Sequence, residues 1–151
     1  MTEVGKLTNY CMKEVSPGVW RGARPDLSQI RGISKRVKTI LCLEKPQVGE
    51  ETAASSWRMN FISRHWSEVF PPSMEQLLFA AEYCRIAIGG LLIHCTHGVD
   101  RTGAAVFAHR VVNQGWSFEK AYQEMLDNGH HVFFYWWWQK RLRDFARRYG
   151  K

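Results

Sequence analysis

The chain has 151 residues, of which 45% are hydrophobic and 23% charged, a balance typical of a globular domain and too apolar for a disordered chain. No apolar run approaches the ~20 residues of a membrane-spanning helix, and the amino terminus lacks the apolar segment of a signal peptide, so we expect a cytoplasmic protein with no membrane partner. Most of the formal charge of +7 lies in residues 140–151, which makes it weak evidence for a nucleic-acid substrate. We expect one domain over residues 1–151.

Predicted strands and helices alternate along the chain. β-rich apolar runs predict strands at 19–22, 37–43, 59–63 and 91–95. Helical patterns cover residues 27–36, 50–58, 74–88, 102–115, 117–128 and 135–149. This order predicts an α/β fold whose central, mostly parallel sheet has about four or five strands and is flanked by helices.

The stretch HCTHGVDRTG, residues 94–103, lies between a predicted strand and a predicted helix. His94, Cys95 and His97 are all potential metal ligands. Adjacent residues at a strand end tend to point to opposite sides, however, and no second ligand pair sits at a suitable spacing. We therefore expect no metal there.

The same loop has the features of an anion site. Gly98 and Gly103 permit close backbone approach, and the backbone from Thr96 to Thr102 can turn several N–H groups inward. A helix amino terminus follows, and the guanidinium of Arg101 can hold two phosphoryl oxygens at once. Such surroundings would favour a thiolate, so the sequence indicates a cysteine nucleophile aimed at phosphate.

Residues 94–103 resemble the HCxxGxxR[ST]G loop of cysteine-dependent protein tyrosine and dual-specificity phosphatases. The segment VSPGVWRGARPD resembles the opening strand of small dual-specificity phosphatases. The resemblance implies a single phosphatase domain of that fold, without metal or cofactor. Cys95 would form a cysteinyl-phosphate, Arg101 would bind substrate and transition state, the Thr102 hydroxyl would assist hydrolysis, and His94 would hydrogen-bond within the loop.

The resemblance also implies which residues surround the phosphate. Gly103 would support the loop, whose phosphate-binding positions are Thr96, His97, Gly98, Val99, Asp100 and Arg101.

The family's general acid is usually an aspartate on a loop before the cysteine. This chain has no aspartate between Asp26 and Asp100, and its HWSEVFPP loop offers Glu68. In a lipid phosphatase of the same superfamily the acid precedes a Pro-Pro pair by three positions, as Glu68 precedes Pro71. We expect Glu68 to be the acid, against the alternatives of a solvated loop carboxylate at Glu68 and of Asp100 as the acid. Asp100 is otherwise expected to orient loop groups or Arg101.

Cys42 has two interpretations. Its strand resembles a stretch of the same lipid phosphatase in which a cysteine can form a disulfide with the nucleophile, which makes Cys42 a possible redox partner of Cys95. A buried strand cysteine with no chemical role is the alternative.

The predicted function is a metal-independent phosphatase that acts on phosphotyrosine in proteins and extends to phosphoserine and phosphothreonine. The loop lacks the lysines typical of phosphoinositide-directed members. Because HCTHG also begins the loop of metal-independent RNA 5′-triphosphatases, an RNA 5′ end is an alternative substrate. The missing aspartate leaves a third hypothesis, a catalytically weak phosphate-binding module.

Aromatic residues in the last predicted helix recur at intervals of three and four. This spacing places Phe134, Trp138, Leu142, Phe145 and Tyr149 on one face of an amphipathic helix. We expect this face to pack on the core rather than to stack nucleobases.

Overall fold

The computed structural model describes residues 10–151, so the first nine residues of the predicted domain lie outside the described residues. One five-stranded sheet has the strand order β1-β2-β5-β3-β4. Its strands are β1 Met12–Ser16, β2 Val19–Gly22, β3 Thr39–Cys42, β4 Asn60–Ser63 and β5 Leu91–His94. All neighbouring pairs are parallel except β1 and β2. The predicted α/β class and the mostly parallel sheet are confirmed.

Strand β1 is the element that the sequence analysis missed. It pairs antiparallel with β2 at one edge of the sheet. None of its five residues is fully buried, and exposed and half-buried positions do not alternate. An edge strand of this kind carries no apolar run, so nothing in its sequence distinguishes it from a loop.

Six α-helices lie within the described residues, and a short 3₁₀ turn at Leu27–Gln29 precedes the first of them. They are α1 Ile30–Ile33, α2 Glu50–Ser56, α3 Met74–Ile86, α4 Asp100–Gln114, α5 Phe118–Asp127 and α6 Trp138–Tyr149. None of the helices in residues 10–151 is both long enough and apolar enough to cross a bilayer.

The chain divides into two compact units. Among the described residues, the first comprises residues 10–65 and Ala87–Gly98, and the second Trp66–Ile86 and Val99–Lys151. In the first unit, β3 and β5 are buried at every position, as expected for apolar runs at the centre of a sheet. The core of this unit comprises Ile30, Ile33, Val37, Ile40, Ala54, Met59 and Leu92.

Helix α4 is the centre of the second unit. Residues 101–111 of this helix are all buried, and it packs against α3, α5 and α6. The Phe107 ring contacts those of Phe118 and Phe145, with centroids 5.9 and 6.5 Å apart. The first turn of α4, which carries Arg101, is therefore held by a well-packed helix.

The prediction for the carboxy-terminal helix was wrong at its start. The helix begins at Trp138 instead of residue 135, and Phe134 is 70% exposed. The N–H groups of Phe134 and Tyr135 both donate to the His131 carbonyl, so the chain here forms turns. Phe134 has the spacing of the helical apolar face but lies before the helix begins.

Gly98 tests how tightly the cysteine loop is fitted. Its φ is +72°, and an added Cβ would lie 2.5 Å from the Gly22 carbonyl carbon, whereas Gly115 has a φ of +68° with no neighbour within 4 Å among the described atoms. Gly115→Ala should lower the free energy of unfolding by about 1–2 kcal/mol because of backbone strain alone. Gly98→Ala should lower the free energy of unfolding by a further ~1–3 kcal/mol because the backbone at Gly22 and Ala23 must also move. Urea denaturation of both variants measures the difference, and equal losses would contradict the close fit.

Candidate active site

The loop that follows β5 is fixed by its carbonyl groups. Cys95 is 3% exposed and comes directly after the strand. Three alternate carbonyls of the loop accept hydrogen bonds from elsewhere in the first unit. These bonds are Leu43 N–H to His94 O at 2.9 Å, Arg24 N–H to Thr96 O at 3.2 Å, and Arg21 Nη2 to Gly98 O at 3.1 Å.

The direction of these carbonyls sets the direction of the N–H groups. In a trans peptide the N–H points opposite to the C=O, and the described residues contain no cis peptide. The peptides that follow His94, Thr96 and Gly98 therefore turn their N–H groups away from the residues that hold the carbonyls. Gly98 has a φ of +72°, and Val99 follows it with a φ of −111° and a ψ of −70°. Left-handed and right-handed conformations therefore follow one another here, as they do in an anion-binding nest.

A buried ionic group, which we call the His94 cluster, lies beside the loop. It consists of Cys42, Glu44, Glu50 and His94. His94 Nε2 is 2.6 Å from Glu50 Oε2, and His94 Nδ1 is 3.5 Å from Glu44 Oε2. Burial opposes the charge of His94, but hydrogen bonds to its three neighbours in the cluster raise its pKa well above the usual value.

Glu44 connects this cluster to the loop. Its carboxylate accepts hydrogen bonds from the Thr96 hydroxyl at 2.7 Å and from Arg24 Nε at 3.0 Å, and a second bond from Arg24 Nη2. Burial alone would raise the pKa of Glu44, but the hydrogen bonds from His94, Arg24 and Thr96 lower it well below its usual range. The carboxylate is thus charged and locked against the residue that follows the nucleophile.

The His94 cluster is held together by hydrogen bonds. One nitrogen, oxygen or sulfur atom each from Cys42, Glu50 and His94 lies within 4.8 Å of the others, which is proximity alone and does not identify a metal site. In the arrangement described, His94 and Glu50 share a hydrogen bond, and Cys42 Sγ donates to the Glu44 carbonyl at 3.3 Å. These bonds already use all three atoms.

In the second unit, Arg101 and Glu68 lie together. Arg101 is 6% exposed, and its Nη1 donates to the Trp66 carbonyl at 3.2 Å. Its Nη2 is 3.9 Å from Glu68 Oε2, and the Glu68 side chain is 74% exposed. The predicted phosphate-binding arginine and the predicted acid are therefore neighbours, and the carboxyl is open to solvent.

Asp100 holds a distant segment of the chain. Its carboxylate accepts from His130 Nδ1 and His131 Nδ1, both at 2.7 Å, and from the His131 N–H at 2.9 Å. Although burial opposes it, these bonds lower the pKa of Asp100. A carboxylate used three times as an acceptor is a poor proton donor, and the partners in these bonds are His130 and His131 rather than the loop groups or Arg101 that Asp100 was expected to orient.

The other predicted site residues lie in the loop after β5 and in the first turn of α4. Thr96 is half-buried and His97 exposed, whereas Thr102 is fully buried in the first turn of α4. The Gly103 N–H donates to the Val99 carbonyl at 2.9 Å.

Sequence reasoning missed Glu44, Glu50 and the pair His130 and His131. Glu44 did carry a signal, because an acidic residue directly after a buried parallel strand lies at the sheet edge where α/β proteins place their sites. For His130 and His131, the only signal in the sequence was that two titratable residues are adjacent.

No family model matches the chain. It is 27% identical over 116 residues to the dual specificity protein phosphatase TpbA of Pseudomonas aeruginosa, a match that covers 76% of this chain and 53% of TpbA. The chain thus spans about half the length of the curated relatives it matches.

Solved structures share the fold. A mutant form of Tk-PTP superposes with a TM-score of 0.81 at 17% identity, covering 91% of this chain and 95% of that one. TpbA in complex with phosphotyrosine gives a TM-score of 0.70 at 22% identity, covering 92% and 84%. With the sequence homology to TpbA, this shared fold leads to one conclusion: the chain is a homologue of a dual-specificity phosphatase and has the fold of cysteine-dependent protein tyrosine and dual-specificity phosphatases.

Proposed function

We propose that the chain is a single-domain, metal-independent phosphatase that hydrolyses phosphotyrosine, and also phosphoserine and phosphothreonine, through a cysteinyl-phosphate intermediate. The observation that carries the proposal is the position of Cys95, which is 3% exposed and comes directly after β5, before a loop in which Gly98 and Val99 take successive left-handed and right-handed conformations. Backbone of this kind orients N–H groups toward an anion, and donors fixed in this way would bind phosphoryl oxygens without reorganisation during the reaction.

Each proposed step has a residue to perform it. The Cys95 thiolate attacks phosphorus, and the bond from phosphorus to the leaving oxygen breaks as Glu68 gives that oxygen a proton. Water then attacks phosphorus, the S–P bond breaks to restore the thiolate, and Glu68 takes up the proton of the water. Arg101 binds two phosphoryl oxygens, and the Thr102 hydroxyl stabilises the thiolate that leaves.

The second unit, which contains Glu68 and Arg101, also carries exposed aromatic side chains that would suit an aromatic leaving group. Phe70, two residues after Glu68, is 69% exposed, and Phe133 and Trp136 are 92% and 68% exposed. Aromatic side chains of this kind can pack on a tyrosine ring. TpbA has been solved with phosphotyrosine bound, which supports the same substrate class for its homologue.

The nucleophile is tested by Cys95→Ser. Turnover of a phosphotyrosine peptide should fall by roughly 10⁴-fold or more because the covalent route is lost, while phosphate binding is retained. Cys11→Ser, at an exposed cysteine, is the matched control and should behave as wild type. Activity should also persist in EDTA. Wild-type turnover by Cys95→Ser would exclude the covalent mechanism, and preference for triphosphorylated RNA over the peptide would favour the RNA alternative.

The acid is tested by Glu68→Gln. With a phosphotyrosine peptide, kcat should fall by roughly 10²–10⁴-fold, the usual size of an acid-catalysis effect, whereas p-nitrophenyl phosphate, whose leaving group needs little protonation, should be affected less. Glu75→Gln, an exposed glutamate at the start of α3, serves as the control. A change in KM alone would assign Glu68 to binding beside Arg101 and not to proton transfer.

Cys42 is proposed as the resolving thiol of Cys95. Register places Cys42 opposite His94, the residue before the nucleophile. Strand spacing and rise then put the Cα atoms of the two cysteines about 6 Å apart, within the range of a disulfide. Because Cys42 shares the strand face of His94, the bond also requires the loop after β5 to turn the Cys95 side chain toward Cys42. Peroxide would convert the Cys95 thiolate to a sulfenic acid, and attack by the Cys42 thiol would form the S–S bond with loss of water.

Mass spectrometry after mild peroxide treatment should therefore detect a Cys42–Cys95 disulfide, and a thiol reductant should restore activity. In Cys42→Ala the nucleophile should proceed to irreversible oxidation, whereas Cys84→Ala should match wild type. Equal recovery of activity by the wild type and Cys42→Ala would show that Cys42 does not protect Cys95 from irreversible oxidation.

A further inference from the structure

His94 faces hydrogen-bond acceptors on both of its ring nitrogens. On one side lies Glu50 Oε2, 2.6 Å from Nε2. On the other side lie the Cys95 carbonyl oxygen, 3.4 Å from Nδ1, and Glu44 Oε2, 3.5 Å from Nδ1. A neutral imidazole has one N–H and would turn a lone pair toward one of these acceptors, whereas the imidazolium donates on both sides.

Charge balance in the cluster supports the same state. Glu50 and His94 are fully buried and Glu44 is 2% exposed, so unpaired charges would be costly there. Glu44 and Glu50 supply two negative charges, which the His94 imidazolium and the Arg24 guanidinium match. Neutral His94 would leave one buried carboxylate uncompensated.

Two further titratable groups adjoin the cluster. The thiol of Cys42 donates to the Glu44 carbonyl. Burial, and the charges of Cys95 and Glu50, raise the pKa of Tyr10, so its phenol stays neutral. Neither group supplies a cation that could take the place of the imidazolium.

We propose that Glu44 and Glu50 are positioning residues that keep His94 as a buried imidazolium, and that this cation holds the Cys95 carbonyl and so orients the nucleophile. The inference rests on the phosphatase function proposed above. It adds two carboxylates that act through His94 and touch neither substrate nor leaving group.

The proposal makes a pH-dependent prediction for Glu50→Gln. The wild-type pKa of His94 is raised, so its charge is retained through neutral pH. Loss of the Glu50 charge should bring the pKa of His94 down, so that the imidazolium is present at about pH 5 and lost as the pH rises toward about 8. The kcat/KM of the variant for p-nitrophenyl phosphate should approach the wild-type value at the acidic end and fall about tenfold per pH unit above the new pKa.

The matched control is Glu51→Gln, which removes the neighbouring, exposed carboxylate of the same helix. It should keep the wild-type pH profile, and thermal melting at each pH should confirm that every variant compared is folded. A uniform loss for Glu50→Gln with a wild-type profile would assign Glu50 to packing and overturn the proposal.

A second measurement needs no variant to fold and no activity. Wild-type protein with ¹⁵N-labelled histidine should show both ring nitrogens of His94 protonated at about pH 7.5, well above the ordinary histidine range. A neutral tautomer at His94 would contradict the proposed imidazolium. If the wild type hydrolyses no phosphoester but shows the doubly protonated ring, the phosphatase function fails while the charge state of His94 stands.

Discussion

The anchoring of one buried carboxylate, Glu44, is the constraint on which the cysteine loop depends. It accepts from Thr96 in the loop, from Arg24 after β2, and lies beside His94 at the end of β5. Three separate parts of the first unit therefore meet at a single charged group. Because the group is buried, loss of Arg24 or His94 would leave its charge uncompensated, and loss of the Thr96 hydroxyl would remove one of its hydrogen-bond donors.

Much of the fold could be predicted because the relevant signals are local. The apolar runs of β3 and β5 are continuous, and the loop after β5 combines glycine, cysteine and arginine within ten residues. Burial of such runs and the backbone needs of an anion site depend mainly on neighbouring residues. β1 was missed because an edge strand needs no apolar pattern, and Phe134 was misplaced because three hydrogen bonds to Asp100 hold the preceding histidines in turns.

The parts of the site that escaped prediction all depend on long-range contacts. Glu50 lies 44 positions before His94, and His130 lies 30 positions after Asp100. No periodicity connects such pairs, and a glutamate at a helix start is ordinarily a favourable surface charge. Here α2 instead directs Glu50 inward, where it is fully buried, and only tertiary structure reveals that its partner is a histidine next to the nucleophile.

Asp100 joins two parts of the second unit that behave very differently. On one side it begins α4, whose next eleven residues are buried, and on the other it holds a segment whose Phe133 and Trp136 rings are largely exposed. Displacing the first turn of α4 must stretch or break bonds to both histidines. By thermodynamic reciprocity, whatever immobilises the exposed rings also restricts that first turn. Asp100 thus links a helix that is buried along most of its length to strongly exposed aromatic side chains.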